Sequence, residues 1–228
     1  MHFMIVPPST PPRPAVAASG SRRLVRLRRV DAEDVRRRQL IEATIEAIAE
    51  VGFTATTIAE IARRAGVSTG LVSFYFGDKD GLLEATLRHL ARELSRMAAA
   101  RLRDATSARA RVQAVIDTNL GASQFERRIG TVWLAFWAQV PHSPRFARVQ
   151  RAYQRRIAAN LASALRLVLM PVPARSLAET VASLIDGLWL RATLSGDLDG
   201  RRARAVAGAF VDTQFMLLGV SIRGEPHS

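Results

Sequence analysis

GVSTGLVSFYFGDKDGLL, Gly66 to Leu83, carries two readings that exclude each other. Gly66-Val67-Ser68-Thr69-Gly70 spells G-x-S-x-G, the turn that presents a nucleophilic serine in many hydrolases. The same letters suit the tight turn and second helix of a DNA-reading helix-turn-helix. The residues before the serine decide between them. A nucleophile elbow needs a buried strand there, because a sharp strand-to-helix turn exposes the oxygen; the DNA-reading motif needs a helix.

Upstream, the pattern is helical. Thr57 can cap a short helix whose inward face is Ile58, Ile61 and Ala62, and Gly66 supplies the left-handed turn that larger residues resist. No strand is available to lead into Ser68. Histidine partners are also scarce: His2 and His227 lie near the ends, and His89 and His142 sit in helical or proline-broken contexts. Ser68 therefore reads as the cap of the second helix, which runs through Phe76. Ile61, Val67, Val72 and Tyr75 are spaced to lock that helix against the first. Ser68, Thr69, Gly70, Ser73 and Phe74 are left on its outward face, at the positions that enter a major groove. Small side chains permit close approach there, and the hydroxyls can bond to bases or phosphates.

Periodicity extends the helical reading in both directions. Leu40, Ile41, Ala43, Thr44, Ile45, Ala47 and Ile48 form an apolar stripe that stops at Gly52. Asp78 caps a long helix over about 79–103, with Lys79 at its opening. Further helices are expected near 109–120, 123–139, 144–169, 175–195 and 200–218, and no alternating strand or internal repeat is found. The expected fold is all-α with about nine helices. A proline- and arginine-rich tail over 1–34 precedes a helix-turn-helix domain at 35–80; a second helical domain at 81–219 and a flexible tail at 220–228 follow.

Charge narrows the partner. The formal net charge is +13, and Lys79 is the only lysine in a chain otherwise charged by arginine. Residues 1–38 hold nine arginines against Asp31, Glu33 and Asp34, so the rest of the chain is basic in its own right. That balance favours a polyanion, nucleic acid before a membrane surface. With no cysteine, disulfides, thiolate catalysis and cysteine-held metal are excluded, and a reducing cytoplasm suits the chain. No apolar run is long enough for a membrane span, and the prolines of Met1 to Pro14 do not suit an export signal. We expect no metal, no cofactor and no catalytic residue.

TTIAEIARRAGVSTGLVSFYFGDKDGLLEA, Thr56 to Ala85, resembles the amino-terminal domain of TetR/AcrR-type transcriptional regulators, and the likeness is continuous from Arg37 to Ala85. It implies that Tyr75 and Lys79 contact phosphate, with Thr57 and Arg37 or Arg38 at further phosphate-facing positions. It also implies that the chain beyond Leu90 dimerises and binds a small-molecule effector. Dimerisation suits the task, because a second recognition helix then meets the next major groove about 34–36 Å away. The expected dimer elements are the last two helices, rich in small residues such as Ala182, Ala203, Ala207 and Gly208. The function implied is repression from a palindromic operator, relieved by the effector. Activation, non-specific architectural DNA binding through the arginine tail, and hydrolysis at Ser68 are the alternatives.

Two stretches bear on the effector. Trp133, Phe136 and Trp137 share one helix face, either as plain core or as part of a ligand box. Asp186 sits amid Ile185, Leu188 and Trp189, where a buried carboxylate needs a partner: an arginine such as Arg191 or Arg128, or a ligand cation. These stretches, with RRQLIEAT, ARRAGVSTG and DKDGLLEAT, are similar to the choline-sensing members of the family, except that Phe74 stands where those carry histidine. The similarity implies choline or another organic cation as effector. Aromatic faces attract quaternary ammonium, so Trp133, Trp137, Trp189 and Tyr153 would form the cage and Asp186 the counter-charge.

Overall fold

In the computed structural model, which describes residues 17–196 and 199–220, every regular element is helical. The prolines at 7, 8, 11, 12 and 14 all precede the first helix, α1 (Ala17–Ala55). Helix therefore begins upstream of Val35, where the sequence expectation placed it, because nothing in residues 17–34 denies the backbone its hydrogen bonds. Residues 1–16 of the expected tail, and 221–228 of the carboxy-terminal one, lie outside the described residues.

The chain divides into two compact units, Met1–Gln39 and Leu40–Ser228. In the first, Arg36 Nη1 donates to Gln39 Oε1 at 2.9 Å and Arg38 Nε to the Asp34 carbonyl at 3.3 Å.

The second unit begins within α1, whose helical path breaks at Gly52 (φ 84°, ψ 166°), a conformation that glycine alone adopts without strain. Next come α2 (Ile58–Ala65), α3 (Thr69–Phe76) and α4 (Lys79–Asp104). Leu40, Ile48, Ile61, Val72 and Leu82 are fully buried and close a small core around α3. Each such side chain contributes about 1.5–3 kcal/mol. Then follow α5 (Ala108–Asn119), α6 (Arg127–Gln139), α7 (Pro144–Leu165), α8 (Pro171–Ser195) and α9 (Gly200–Leu217). Val112, Ile116, Leu161, Leu165, Val181 and Val211 are buried where α5, α7, α8 and α9 meet.

Three boundaries differ from expectation. The helix expected over 123–139 is a 3₁₀ turn (Ala122–Phe125) and then α6, separated at Glu126, whose ψ of 128° is not helical. The helix expected to end at 169 stops at Leu165. The helix expected from 175 begins at Pro171, since a proline at the first helical position lacks only an N–H that would be unpaired anyway.

Candidate DNA-reading face and candidate ligand cavity

Side-chain caps set the angles between α2, α3 and α4. Thr57 Oγ1 accepts from Glu60 N at 3.1 Å, Ser68 Oγ from Leu71 N at 3.2 Å, and Asp78 Oδ1 from Gly81 N at 2.6 Å. Gly66 closes α2 in the left-handed conformation (φ 65°), and Val67 N reaches back to Ala62 O at 3.0 Å. Ser68 therefore follows a helix, and its oxygen is engaged as a cap; the strand that a nucleophile elbow requires is replaced by α2. The turn is braced from outside. Arg63 and Arg64 both hydrogen-bond Glu60, holding its carboxyl down at about 2, and Arg64 also reaches Glu50 on α1 at 2.7 Å.

Val72 faces inward at 0% exposure, whereas Ser68, Thr69, Gly70, Ser73 and Phe74 share the exposed side of α3. Phe74, at 79%, is a large apolar ring held out into solvent. Tyr75 is half-buried and meets Phe74 edge-on, ring centroids 5.3 Å apart. Thr57 is exposed at the start of α2. Lys79 opens α4, where its Nζ approaches the Thr54 carbonyl (3.5 Å) and the Phe53 ring (6.0 Å). Arg37 and Arg38 belong to the amino-terminal unit. One contact ties α3 to α4: a Cβ on Gly81 would lie 2.2 Å from the Phe76 carbonyl oxygen, so only glycine lets α4 start so close to the end of α3.

Five of the six expected ligand residues line one cavity: Trp133 and Trp137 from α6, Tyr153 from α7, Asp186 and Trp189 from α8. Trp133 and Tyr153 stack at 5.7 Å (27°), and Trp137 meets Trp189 edge-on at 4.9 Å. Tyr153 donates its hydroxyl to Asn119 Oδ1 at 2.6 Å, and Trp189 Nε1 donates to the Gln124 carbonyl at 3.0 Å. The free volume is about 20 Å³, room for little more than a water molecule.

Phe136, the sixth, is corrected to core. It is fully buried and packs edge-on against Phe53 (5.7 Å) and Phe146 (5.6 Å), outside the cavity lining. Trp133, Phe136 and Trp137 subtend a wide arc of the helix, so Phe136 faces Phe53 and Phe146 while its neighbours face the cavity.

Asp186 takes neither expected arginine. Arg128 lies 3.6 Å from Glu42, Arg191 is exposed, and the hydrogen bond to Asp186 comes from Gln154. Burial pushes the Asp186 carboxyl up to about 6, against the downward pull of that bond. Burial and the nearby Asp186 charge both push the Tyr153 phenol up, so it stays protonated. Leu94, Asn119, Gln124 and Ile185 complete the wall and were missed. Asn119 and Gln124 fall near facing ends of two expected helices, and only their burial (7% and 8% exposed) marks them.

Leu194 at the end of α8, and Val206, Met216 and Leu217 on α9, are exposed apolar residues. Ala203, Ala207 and Gly208 instead turn inward, and Gly208 lies over Arg109, which binds Asp212 from α5. No helix among the described residues is long and apolar enough to cross a membrane.

The family of bacterial regulatory proteins of tetR type matches residues 40–86, and the C-terminal domain of BetI-type transcriptional repressors matches residues 108–216. The HTH-type transcriptional regulator BetI of Ectopseudomonas mendocina is 47% identical over 189 residues, covering 82% of this chain and 96% of that protein. Its namesake in Burkholderia thailandensis is 46% identical over 182 residues, covering 78% and 93%. A transcriptional regulator from Pseudomonas aeruginosa superposes with a TM-score of 0.70 at 26% identity, over 79% of this chain and 90% of that one. A regulator from Saccharomonospora viridis, solved in complex with choline, gives 0.66 at 23% identity, over 77% and 95%. The chain belongs to the TetR family of bacterial transcriptional regulators, and its carboxy-terminal domain is of the BetI repressor type.

Proposed function

We propose that this regulator is a homodimeric repressor whose α3 helices read a palindromic operator and which an organic cation, choline or a close relative, releases. The observation that carries the reading is convergence: four aromatic rings and one half-buried carboxylate from three helices border a single cavity. Aromatic faces favour quaternary ammonium by about 0.5–2 kcal/mol per contact, and Asp186 supplies the compensating charge. The structurally similar Saccharomonospora viridis regulator was crystallised with choline.

The small free volume supplies the switch. A cation larger than water enters only if the walls part, so it binds a widened state better than the closed one and shifts the population towards it. Leu94 on α4 is part of that wall, and α4 begins where α3 ends. Widening therefore bears on the helix that sets the spacing of the two recognition helices, for a coupling of about 1–3 kcal/mol. On α3, Thr69, Ser73 and Phe74 would meet bases, with Ser68 and Gly70 allowing close approach. Tyr75, Lys79 and Thr57 would hold phosphates. The exposed apolar residues of α8 and α9 are the proposed dimer face.

A thermal-shift screen tests the cation site. Choline and betaine aldehyde should raise the melting temperature in a concentration-dependent way, since each binds only the folded form. Flat responses to every cation would return Trp133 and Trp137 to the core.

A further inference from the structure

One donor of a cavity-lining residue has no hydrogen-bond partner among the described residues. Trp189 Nε1 is satisfied by the Gln124 carbonyl, and Tyr153 by Asn119. Trp137 Nε1 is buried, and no acceptor among the described residues meets it. Folded proteins rarely keep a buried N–H without a partner, because it forfeits the hydrogen bond it makes in water. The edge-on contact with Trp189 at 4.9 Å offers at most a ring face, a weak acceptor. Asp186, the carboxylate of the lining, takes its hydrogen bond from Gln154.

We infer that Trp137 Nε1 is the donor that recognises an oxygen of the effector, so the effector is an organic cation bearing a hydroxyl or carbonyl oxygen a few bonds from its charge. The inference rests on reading the cavity as a cation site and deepens it. Aromatic faces attract any alkylammonium of suitable size, so the cage alone discriminates poorly. A buried donor discriminates well, because an analogue without the oxygen leaves the N–H unpaired in a closed site. In the ligand-free protein a water can serve as acceptor, for which the 20 Å³ of free space is enough. A ligand that displaces such a water must reproduce its hydrogen bond or lose affinity. Trp137 thus acts through two features: its ring borders the charge, and its N–H reads the oxygen.

The probes are choline and n-propyltrimethylammonium, which share size and charge and differ by a methyl in place of the hydroxyl. In calorimetric titrations of the full chain, choline should bind about tenfold or more tighter. Trp137→Phe keeps an aromatic face and removes the N–H, so it should weaken choline about tenfold and bring the two affinities together. A second readout needs no variant. The indole N–H signal that Trp137→Phe removes from the ¹H–¹⁵N spectrum should move downfield with choline and not with n-propyltrimethylammonium. Equal wild-type affinities, or a Trp137→Phe variant that weakens both cations alike, would overturn the inference while leaving a cation site in place. If neither cation bound the wild type, the cation-site reading would fall, and this inference with it.

Discussion

Phe136 packs edge-on against Phe53 with ring centroids 5.7 Å apart, and through that contact the helix carrying Trp133 and Trp137 touches the bundle that carries α3. Phe53 also lies under Lys79, whose Nζ is 6.0 Å from its ring. Phe136 thus joins the helix that lines the candidate cavity to the helix-turn-helix bundle. Phe53→Leu keeps an apolar side chain but loses the edge-on contacts to Phe136 and Phe146. Choline affinity should stay within about threefold, while the loss of DNA affinity caused by choline shrinks, since coupling energies of about 1–3 kcal/mol are at stake. Fluorescence anisotropy on labelled operator, with and without choline, measures both. Unchanged coupling would remove this contact from the mechanism.

Asp186 makes stability depend on pH. Burial raises its folded pKa from 3.8 to about 6, so the folded state holds its proton more tightly than the unfolded chain. The stability this contributes is fully present below about pH 4 and is lost as pH rises through 6. At pH 8 the ionised carboxylate is therefore a burden, on the order of 1–3 kcal/mol. Asp186→Asn should raise the melting temperature at pH 8, with the gain vanishing towards pH 4, and should abolish the response to choline. Wild-type choline binding should strengthen as pH rises through 6. A gain that did not depend on pH would mean that the carboxyl does not titrate as described.

Gly81 tests how α3 and α4 are joined. Its missing Cβ would sit 2.2 Å from the Phe76 carbonyl oxygen, a contact that backbone cannot yield without moving α4. Gly81→Ala should destabilise the protein by roughly 1–3 kcal/mol and weaken operator binding beyond what lost folding explains. Urea denaturation and DNA titration of the folded fraction separate the two effects. Wild-type values in both would show that the helices are not held so closely.

The proposed phosphate and base contacts separate by sequence dependence. Tyr75→Phe combined with Lys79→Ala should weaken operator and unrelated DNA alike, with a salt slope about one unit shallower for each lost phosphate contact. Thr69→Ala or Ser73→Ala should change the preference among operator variants. Deleting residues 1–34 should lower overall affinity and leave preference intact, whereas an architectural binder would lose most of its binding. Competition titrations at several salt concentrations give all three answers.

Much of the fold was legible because the decisive signals are local. Thr57, Ser68 and Asp78 each show their cap within three residues, and Gly52 and Gly66 stop helices by conformations that other residues resist. The break at Glu126 carries no such signal: no glycine or proline marks it, and it exists because the short turn before it packs Phe125 into the core. At the site, Trp133, Trp137, Asp186 and Trp189 were legible as aromatics and a charge in apolar runs. Leu94 and Asn119 were not, since only tertiary packing brings α4 and α5 to the cavity. Phe136 was misassigned because helical spacing gives a face but not its breadth.

The most direct test is a titration of choline into the protein bound to labelled DNA from its own promoter region, followed by anisotropy at fixed salt. Anisotropy should fall to the free-DNA value at saturating choline in the wild type, and stay high for Asp186→Asn. If choline bound the wild-type protein and the DNA remained held, the cavity would not be the switch.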